Sequence, residues 1–397
     1  MSAARRADLA YAVGVIVGVA FIVVSGAVAV HDRGAGLTND FGGIWAGARA
    51  IVDGHDPYDP ATWHAIAATY GTQAPDTAVY GYPRWVALAL VPFALLPIDA
   101  AARLWLWGGI AIAVLGVRAL LRAAVPGIPL AHAVVGGTLF VAQPGYQTVA
   151  NGQWTFLLLA GSSAALVLVR RSRPRAAALA ALVWLAKPHL FVGSALGGAR
   201  RDRTFAVWAA ALAAAAVLAA TVTAPGWVGA WSARVAPVRI QAPATLYAAA
   251  HDLFGPAGLI VATLVVVIAV AACLRAPARS DASLALWSSL SLAAAPYGWS
   301  YDQLLLLPPV ILAAGVIARR DVSRAAVVIV AFCIAFVLAT PALYGVALAR
   351  GRETFSVVVP LATFAMVGVL LWRERAEPVG HADGRTGIGL TPANGPS

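Results

Sequence analysis

The chain has 397 residues, of which 61% are hydrophobic and only 11% are charged, with a formal net charge of +11. Soluble globular domains carry about 25% charged residues, so this composition excludes an ordinary soluble protein. The arginines stand in short groups at the ends of apolar stretches and form no basic face with interleaved aromatics, which argues against nucleic-acid binding. Many apolar stretches are long enough to cross a bilayer as helices, and the alternating pattern of a barrel is absent. The sequence predicts an all-α, polytopic transmembrane bundle.

The arginine groups predict how the chain is threaded. Arg5 and Arg6 precede the first apolar run, roughly 9–30, which places the N-terminus in the cytoplasm and residue 31 outside. That run ends without a small-residue cleavage site, so we expect a retained anchor. The remaining groups, all assigned to the cytoplasm, are Arg118/Arg122, Arg170/Arg171/Arg173/Arg175, Arg200/Arg201/Arg203, Arg275/Arg279, Arg319/Arg320/Arg324 and Arg373/Arg375. The extracytoplasmic connections are then 31–84, about 143–153, 224–250, about 296–302 and 345–354.

The loop 31–84 is the longest non-membrane segment and is rich in aspartate. Within it, Asp40 can cap a helix that begins at Phe41 and ends at Gly54, with one apolar face. This pattern predicts interfacial helices on the first extracytoplasmic loop, with an aspartate at the start of one of them.

Two stretches allow alternative threading. The stretch 85–121 must cross an odd number of times, and 175–199 must leave and return as two half-helices that meet near Lys187 and Pro188. The alternative gives the first stretch two spans and the second one full span, which would put the group at 170–175 outside. We assign residues 1–373 to a single membrane domain and 374–397, which are polar and rich in glycine and proline, to a disordered cytoplasmic tail.

Lys187 is the only lysine of the chain and lies in an apolar segment, directly before Pro188 and His189. A charge there costs a few kcal/mol or more, so an intramembrane ionisable residue is a candidate for function. A lysine that snorkels to the interface is the structural alternative. The position at a helix break favours an anion-binding role.

Other polar residues fall at the same predicted side of the membrane. Asp302 follows a group of aromatics and is either a functional carboxylate or a helix cap, and Asp40 has the same two interpretations. Asn151 and Gln153 either contact a ligand or form a turn before the next span. Each signal is weak alone, and their convergence on one side predicts a catalytic or binding site there.

Several short motifs together resemble glycosyltransferase family 87. They are DFGGIWAGAR at 40–49 with GHDPYD at 54–59, YGYP at 80–83, NGQ at 151–153, KPH at 187–189, and PY and YD at 296–297 and 301–302. The resemblance implies a GT-C-type fold and a hexosyltransferase of the plasma membrane. Its implied reaction moves mannose, or arabinose or another hexose, from a polyprenyl-phosphate donor to a lipid-linked or envelope glycan on the outer face, with inversion.

The resemblance also implies roles for individual residues. Asp40 is the catalytic base; the donor phosphate is held by Lys187, His189 and Arg84; the sugar or the acceptor is held by Asn151, Gln153, Tyr301 and Asp302. No cofactor is expected; a divalent cation stays open, but no acidic cluster in the sequence indicates one.

Two other functional classes stay open at this stage. A transporter or lipid flippase also uses broken helices and midplane charges, but it should show inverted repeats and access from both faces. A non-catalytic subunit of envelope assembly is the second alternative, although it would have no need of Asp40 and Lys187.

Overall fold

The structure, a computed structural model, describes residues 1–34, 39–69, 80–235 and 243–376, and every regular element in these ranges is helical. The α-helices are α1 (Ala3–Val24), α2 (Ala27–Gly34), α3 (Asp40–Val52), α4 (Pro60–Thr69), α5 (Arg84–Ala89), α6 (Val91–Ala94), α7 (Ile98–Ala124), α8 (Pro129–Val141), α9 (Gln143–Ala150), α10 (Thr155–Arg170), α11 (Pro174–Ala180), α12 (Val192–Arg201), α13 (Arg203–Thr223), α14 (Trp227–Val235), α15 (Leu246–Phe254), α16 (Gly258–Leu274), α17 (Asp281–Ala293), α18 (Leu307–Ile317), α19 (Val322–Arg350) and α20 (Val358–Ala376). Short 3₁₀ helices occupy Ala181–Ala186, Pro188–Leu190, Gly255–Ala257, Ser300–Leu306 and Thr354–Val357.

Seven helical segments in the described ranges are long and apolar enough to cross a membrane. They are Ala3–Val24, Ile98–Ala124, Arg203–Thr223, Leu246–Leu274, Ser300–Ile317, Val322–Arg350 and Thr354–Glu374. Ser300–Ile317 is the most enclosed of them, since 89% of it is buried inside the protein, and it forms the centre of the bundle. The predicted all-α polytopic membrane fold is confirmed.

Close helix packing depends on small residues, as is usual in membrane bundles. α1 lies against α8, and Gly14 of α1 meets the backbone of Ala133 so closely that a Cβ on Gly14 would stand 2.0 Å from the Ala133 carbonyl oxygen. A larger residue at Gly14 would therefore force α1 away from α8.

Arginines from distant parts of the chain gather at one end of the bundle, here called the arginine end. Asp8 near the start of α1 binds Arg118 and Arg122 at the end of α7. Asp281 at the start of α17 is the centre of a second group, and Glu374 near the end of α20 is the centre of a third. The arginines around Asp281 and Glu374 are Arg170, Arg201, Arg319, Arg320 and Arg324. The grouping that the sequence predicted is present in three dimensions.

The segment 174–201 enters the bundle from the arginine end and returns to it. α11 and the 3₁₀ helix Ala181–Ala186 lead to Lys187, and α12 leads back to Arg201. Arg170 and Arg201, which flank the segment, bind the same Asp281 carboxylate at 3.1 Å each. Each half is about 20 Å long by standard helical rises, too short for a ~30 Å crossing. The two half-helices are confirmed, and the alternative of one full span is wrong.

The stretch 85–121 contains a single span. α5 and α6 are short helices separated at Leu90, and Pro97 precedes α7, which alone is long enough to cross. The prolines therefore shape the approach to the span without dividing it, and the two-span alternative is wrong.

The first long loop carries α3 and α4, as predicted, but the cap of α3 differs from the expected one. Asn39, one residue earlier than Asp40, accepts the hydrogen bond from the Gly42 amide at 3.0 Å, and Asp40 is the first helical residue. Asn and Asp cap almost equally well, so sequence alone did not separate them. Gly54 follows the helix with φ of +79°, as expected of a glycine that terminates a helix. Two parts of this loop, 35–38 and 70–79, lie outside the described residues.

Two boundaries near the C-terminus also move. α19 extends to Arg350, so the expected connection 345–354 shrinks to a few residues. α20 continues to Ala376, past the predicted domain end at 373. The predicted tail beyond that point, 377–397, lies outside the described residues.

Candidate active site

The start of α3 is fastened to the turn before α10. The backbone amide of Asp40 donates to the Asn151 carbonyl oxygen at 3.0 Å. The Nδ2 atom of Asn39 lies 3.4 Å from His31 Nδ1, and the buried His31 ring reaches the Ala102 carbonyl through Nε2 at 3.2 Å. Since Asn39 caps α3, the Asp40 side chain is not used as the cap and points toward Gln153.

The turn Asn151-Gly152-Gln153 requires its glycine. Gly152 has φ of +63°, and a Cβ there would lie 2.7 Å from Phe41 Cβ. Its carbonyl accepts a hydrogen bond from Trp105 Nε1 at 2.9 Å, which ties the turn to α7. This close contact holds Gln153 beside the first turn of α3.

Gln153 joins a carboxylate to an ammonium group. It is 4% exposed; its Nε2 donates to the Asp40 carboxylate and its Oε1 accepts from Lys187 Nζ at 3.4 Å. An amide has both donor and acceptor, so this one side chain satisfies groups of opposite charge.

Lys187 stands at the break between the two half-helices and is 5% exposed. Its Nζ donates to Asp302 Oδ1 at 2.9 Å and lies 4.6 Å from the centre of the Tyr301 ring. The ion pair and the cation–π contact explain how a charge is tolerated among apolar helices. Lys187 is therefore a buried, paired lysine, and the snorkelling alternative is wrong.

Asp302 is 2% exposed, and its second oxygen accepts from the Trp299 backbone amide at 3.2 Å. It thus closes the first turn of the 3₁₀ helix Ser300–Leu306 while it pairs with Lys187. Asp302 therefore closes the helix as its third residue, while Trp299 holds the N-cap position, and its role as a functional carboxylate stays a prediction.

A buried polar layer supports Asp302 from behind. Ser300 Oγ donates to Gln147 Oε1 at 2.9 Å and accepts from Gln143 Nε2 at 3.2 Å, and its backbone amide donates to Glu353 Oε2 at 2.7 Å. These contacts join residues far apart in sequence and hold the start of the 3₁₀ helix against α9 and Glu353, although Gln143 Oε1 has no partner among the described residues.

The other predicted residues fall at different distances from this cluster. His189 packs edge-on against Tyr297 at 5.7 Å, and its Nε2 is buried with no hydrogen-bond partner among the described residues. Asn151 contributes its backbone carbonyl to Asp40. Arg84 is directed elsewhere: its Nε donates to Thr223 Oγ1 at 3.3 Å, and one Nη lies 3.9 Å from Asp56. Arg84 thus contacts Thr223 and Asp56 and is not joined to Lys187 in the described structure. Its predicted contact with the donor phosphate stays a prediction.

Asp40 lies at the surface of the cluster, whereas Gln153, Lys187 and Asp302 are buried. Asp40 keeps solvent-exposed surface, although protein atoms crowd around it on most sides. Burial raises the pKa of Asp40 above its usual 3.8, whereas the hydrogen bond from Gln153 and the charge of Lys187 lower it. The negative charge of Asp302 raises it again. A carboxylate with a raised pKa is a better proton acceptor than an ordinary surface aspartate.

Three neighbours of this cluster escaped the sequence reasoning. Glu353 supports Ser300, His31 supports Asn39, and Tyr82 lies within reach of both site carboxylates. Burial, followed by the charges of Asp40 and Asp302, raises the pKa of Tyr82 well above its usual value of 10.0. Tyr82 stands in the YGYP motif, which was a usable signal, while His31 and Glu353 carried none. In the described ranges no group of three or more His, Cys, Asp or Glu residues is arranged to hold a metal ion.

The fold and this cluster define a polytopic membrane protein with a polar site at the end of the bundle opposite to the arginine end, called the site end from here on. A sequence model of glycosyltransferase family 87 matches residues 80–297, more than half of the chain. The chain therefore belongs to glycosyltransferase family 87, and the predicted resemblance is confirmed. Gln153 and Lys187 lie inside the matched range, whereas Asp40 precedes it and Asp302 follows it. No match was found among curated proteins or among solved structures.

Proposed function

We propose that the protein transfers a hexose, with mannose as the first candidate, from a polyprenyl-phosphate donor to a lipid-linked or envelope glycan, with inversion at the anomeric carbon. Family membership establishes a membrane glycosyltransferase with a sugar donor and an acceptor. It also favours this reaction over the transporter and the non-catalytic subunit. The observation that carries the finer proposal is the continuous set of contacts from Asp40 through Gln153 and Lys187 to Asp302.

Asp40 acts as the base in this proposal. Displacement at the anomeric carbon needs the acceptor hydroxyl to lose its proton as it attacks, and a carboxylate within hydrogen-bond reach can accept that proton. Inverting glycosidases use one carboxylate in the same way. Support comes from the exposed surface of Asp40 and from its raised pKa.

Lys187 binds the donor phosphate. An ammonium group has three donors, and the structure commits one to Asp302 and one to Gln153, which leaves a third for a phosphate oxygen. The phosphate of the donor leaves with its charge held by Lys187, so no strong general acid is required. His189, with its unpaired buried Nε2, is the second candidate for a phosphate contact. Asn151, Gln153, Tyr301 and Asp302 lie around these groups and are proposed to bind sugar or acceptor hydroxyls.

The site end is proposed to face the extracytoplasmic side of the plasma membrane. The positive-inside rule supports this orientation, because the arginine groups gather at the opposite end of the bundle. The seven apolar spans support a multi-pass membrane location.

The direct test is to incubate the purified protein with a panel of radiolabelled polyprenyl-phosphate sugars and a membrane lipid extract. We expect label from one hexose donor to appear in a glycan whose new linkage has the anomeric configuration opposite to that of the donor. Transfer from a nucleotide sugar alone, or retention of configuration, would contradict the proposed donor or mechanism.

A further inference from the structure

A second concave site lies at the arginine end, around Asp281. A cavity of about 430 Å³ is lined by Ala123, Val167, Arg170, Arg171, Arg201, Asp281 and Arg319. Its volume is within the range typical of small-ligand sites, roughly 300–1,000 Å³. It is separate from Asp40 and Lys187, which lie at the other end of the bundle.

The cavity carries an excess of positive charge. Four arginines line it, and Asp281 is the single acidic residue among the described residues that do so. Asp281 Oδ1 binds Arg201 at 3.1 Å, Oδ2 binds Arg170 at 3.1 Å, and Oδ2 also contacts Arg319. One carboxylate thus offsets one of four guanidinium charges, and the walls remain strongly electropositive.

The hydrogen-bonding capacity of these arginines is only partly used. Each guanidinium has five N–H donors in a rigid fork, far more than two carboxylate oxygens can accept. Arg170 is mostly buried, and its Nη1 has no hydrogen-bond partner among the described residues. A buried charged donor without a partner is costly, so an acceptor that reached this atom would stabilise Arg170.

Asp281 makes the cluster rigid. It is 7% exposed and gathers the ends of α10, α12 and α18 at the first residue of α17. The positive-inside rule explains why arginines are found at this end, but it does not require them to converge on one buried carboxylate beside a cavity. Guanidinium groups that are held in place around one point can each donate two hydrogen bonds to two oxygens of a phosphate group.

We propose that this cavity binds the phosphate group of an anionic phospholipid headgroup. Basic pockets between transmembrane helices at the membrane surface are suited to such headgroups, because the lipid presents its phosphate at the depth where the helices end. Inorganic phosphate has the same chemistry and is the soluble alternative. The site is independent of the proposed sugar transfer and of Asp40.

Native mass spectrometry of the purified full-length protein in neutral detergent tests this site. Phosphatidylglycerol is titrated against phosphatidylcholine, and inorganic phosphate is added as a competitor in a separate arm. The variant Arg171→Gln/Arg319→Gln removes the two more exposed guanidinium groups. It removes the contact of Arg319 with Asp281 and leaves the contacts of Arg170 and Arg201 with Asp281 in place. Arg173→Gln is the matched control, because Arg173 belongs to the same arginine group and does not line the cavity.

We expect wild type to retain phosphatidylglycerol over phosphatidylcholine. In the double variant the apparent Kd for phosphatidylglycerol should rise about tenfold or more, the loss expected for one or two charge-assisted hydrogen bonds. Arg173→Gln should bind as wild type does. If the double variant unfolds at a lower temperature than wild type, Arg171→Gln alone replaces it in the titration. A smaller rise of the apparent Kd is then expected.

Two outcomes would overturn the proposal: equal affinity of wild type and double variant, or an equal loss in Arg173→Gln. If inorganic phosphate binds more tightly than phosphatidylglycerol does, the proposal that the phosphate belongs to a lipid headgroup would be refuted.

Discussion

The two ends of the bundle use charge in opposite ways. At the arginine end two carboxylates are each surrounded by several guanidinium groups: the partly exposed Asp8 binds two arginines and the buried Asp281 binds three. At the site end Lys187 alone serves two carboxylates, Asp302 directly and Asp40 through Gln153.

This difference distinguishes carboxylates that join helix ends from Asp40, which we propose to be reactive. Carboxylates with a surplus of cations are neutralised and dock helix ends to one another. The pKa of Asp40, which reaches Lys187 through an amide, is raised because burial raises it more than Gln153 and Lys187 lower it. In the proposed reaction Asp40 exchanges the proton, and the neighbouring Lys187–Asp302 ion pair reaches it through Gln153.

The largest effect is expected at Asp40. Asp40→Asn removes the proton acceptor and preserves the size of the side chain, so the initial rate of sugar transfer in membranes should fall about 10²–10⁴-fold. Expression and donor binding should stay close to wild type. Asp53→Asn, at the other end of α3 and exposed, is the control and should leave the rate nearly unchanged. Transfer by Asp40→Asn at the wild-type rate would refute the assignment of the base.

Lys187→Met tests the shared cation. It leaves the buried Asp302 charge unpaired, and breaking such a pair costs about 3–5 kcal/mol, so the thermal unfolding midpoint should fall. Titration with a donor analogue should show a larger loss of affinity than titration with an acceptor. The double variant Lys187→Met/Asp302→Asn should recover stability without recovering donor affinity.

The matched change at the arginine end is Asp281→Asn. It should also lower the unfolding midpoint, because three arginines lose their common partner, but donor affinity should be unchanged.

Equal losses of donor and acceptor affinity in Lys187→Met would assign Lys187 a structural role instead.

Gly152→Ala tests whether the turn beside α3 positions Asp40. The added methyl group would meet Phe41, so α3 should shift, and a displacement of about 1 Å can reduce a rate ~100-fold. Gly54→Ala carries the same backbone strain at φ of +79° with open space around it. If both variants lose activity to the same degree, strain and not displacement is the cause.

The smallest effect concerns pH. Burial raises the pKa of Asp40, so on acidification its carboxylate is protonated already at a pH above 3.8. The fall of kcat/KM on the acidic side of the pH profile, its acidic limb, should therefore lie above that pH. Gln153→Leu removes a hydrogen bond that stabilises the charged form, so it should move the limb to still higher pH. A limb that does not move in this variant would show that Asp40 does not govern it.

The sequence predicted the architecture well because its signals were local. Apolar length, arginine groups and the Lys187-Pro188 break each act within a short window. The pairing of Lys187 with Asp302 depends on how half-helices pack against the central span, and no local pattern encodes it. The cap of α3 was misplaced because Asn39 and Asp40 are both good caps, and only the contact of Asn39 with His31 distinguishes them.

The most direct measurement is an experimental structure of the protein with a non-reactive polyprenyl-phosphate-sugar analogue. The phosphate should lie within hydrogen-bond distance of Lys187 Nζ, with the anomeric carbon facing the open side of Asp40. A phosphate bound at Arg84 and Thr223, or a sugar that leaves Asp40 and Lys187 uncontacted, would contradict a single active site built from these side chains.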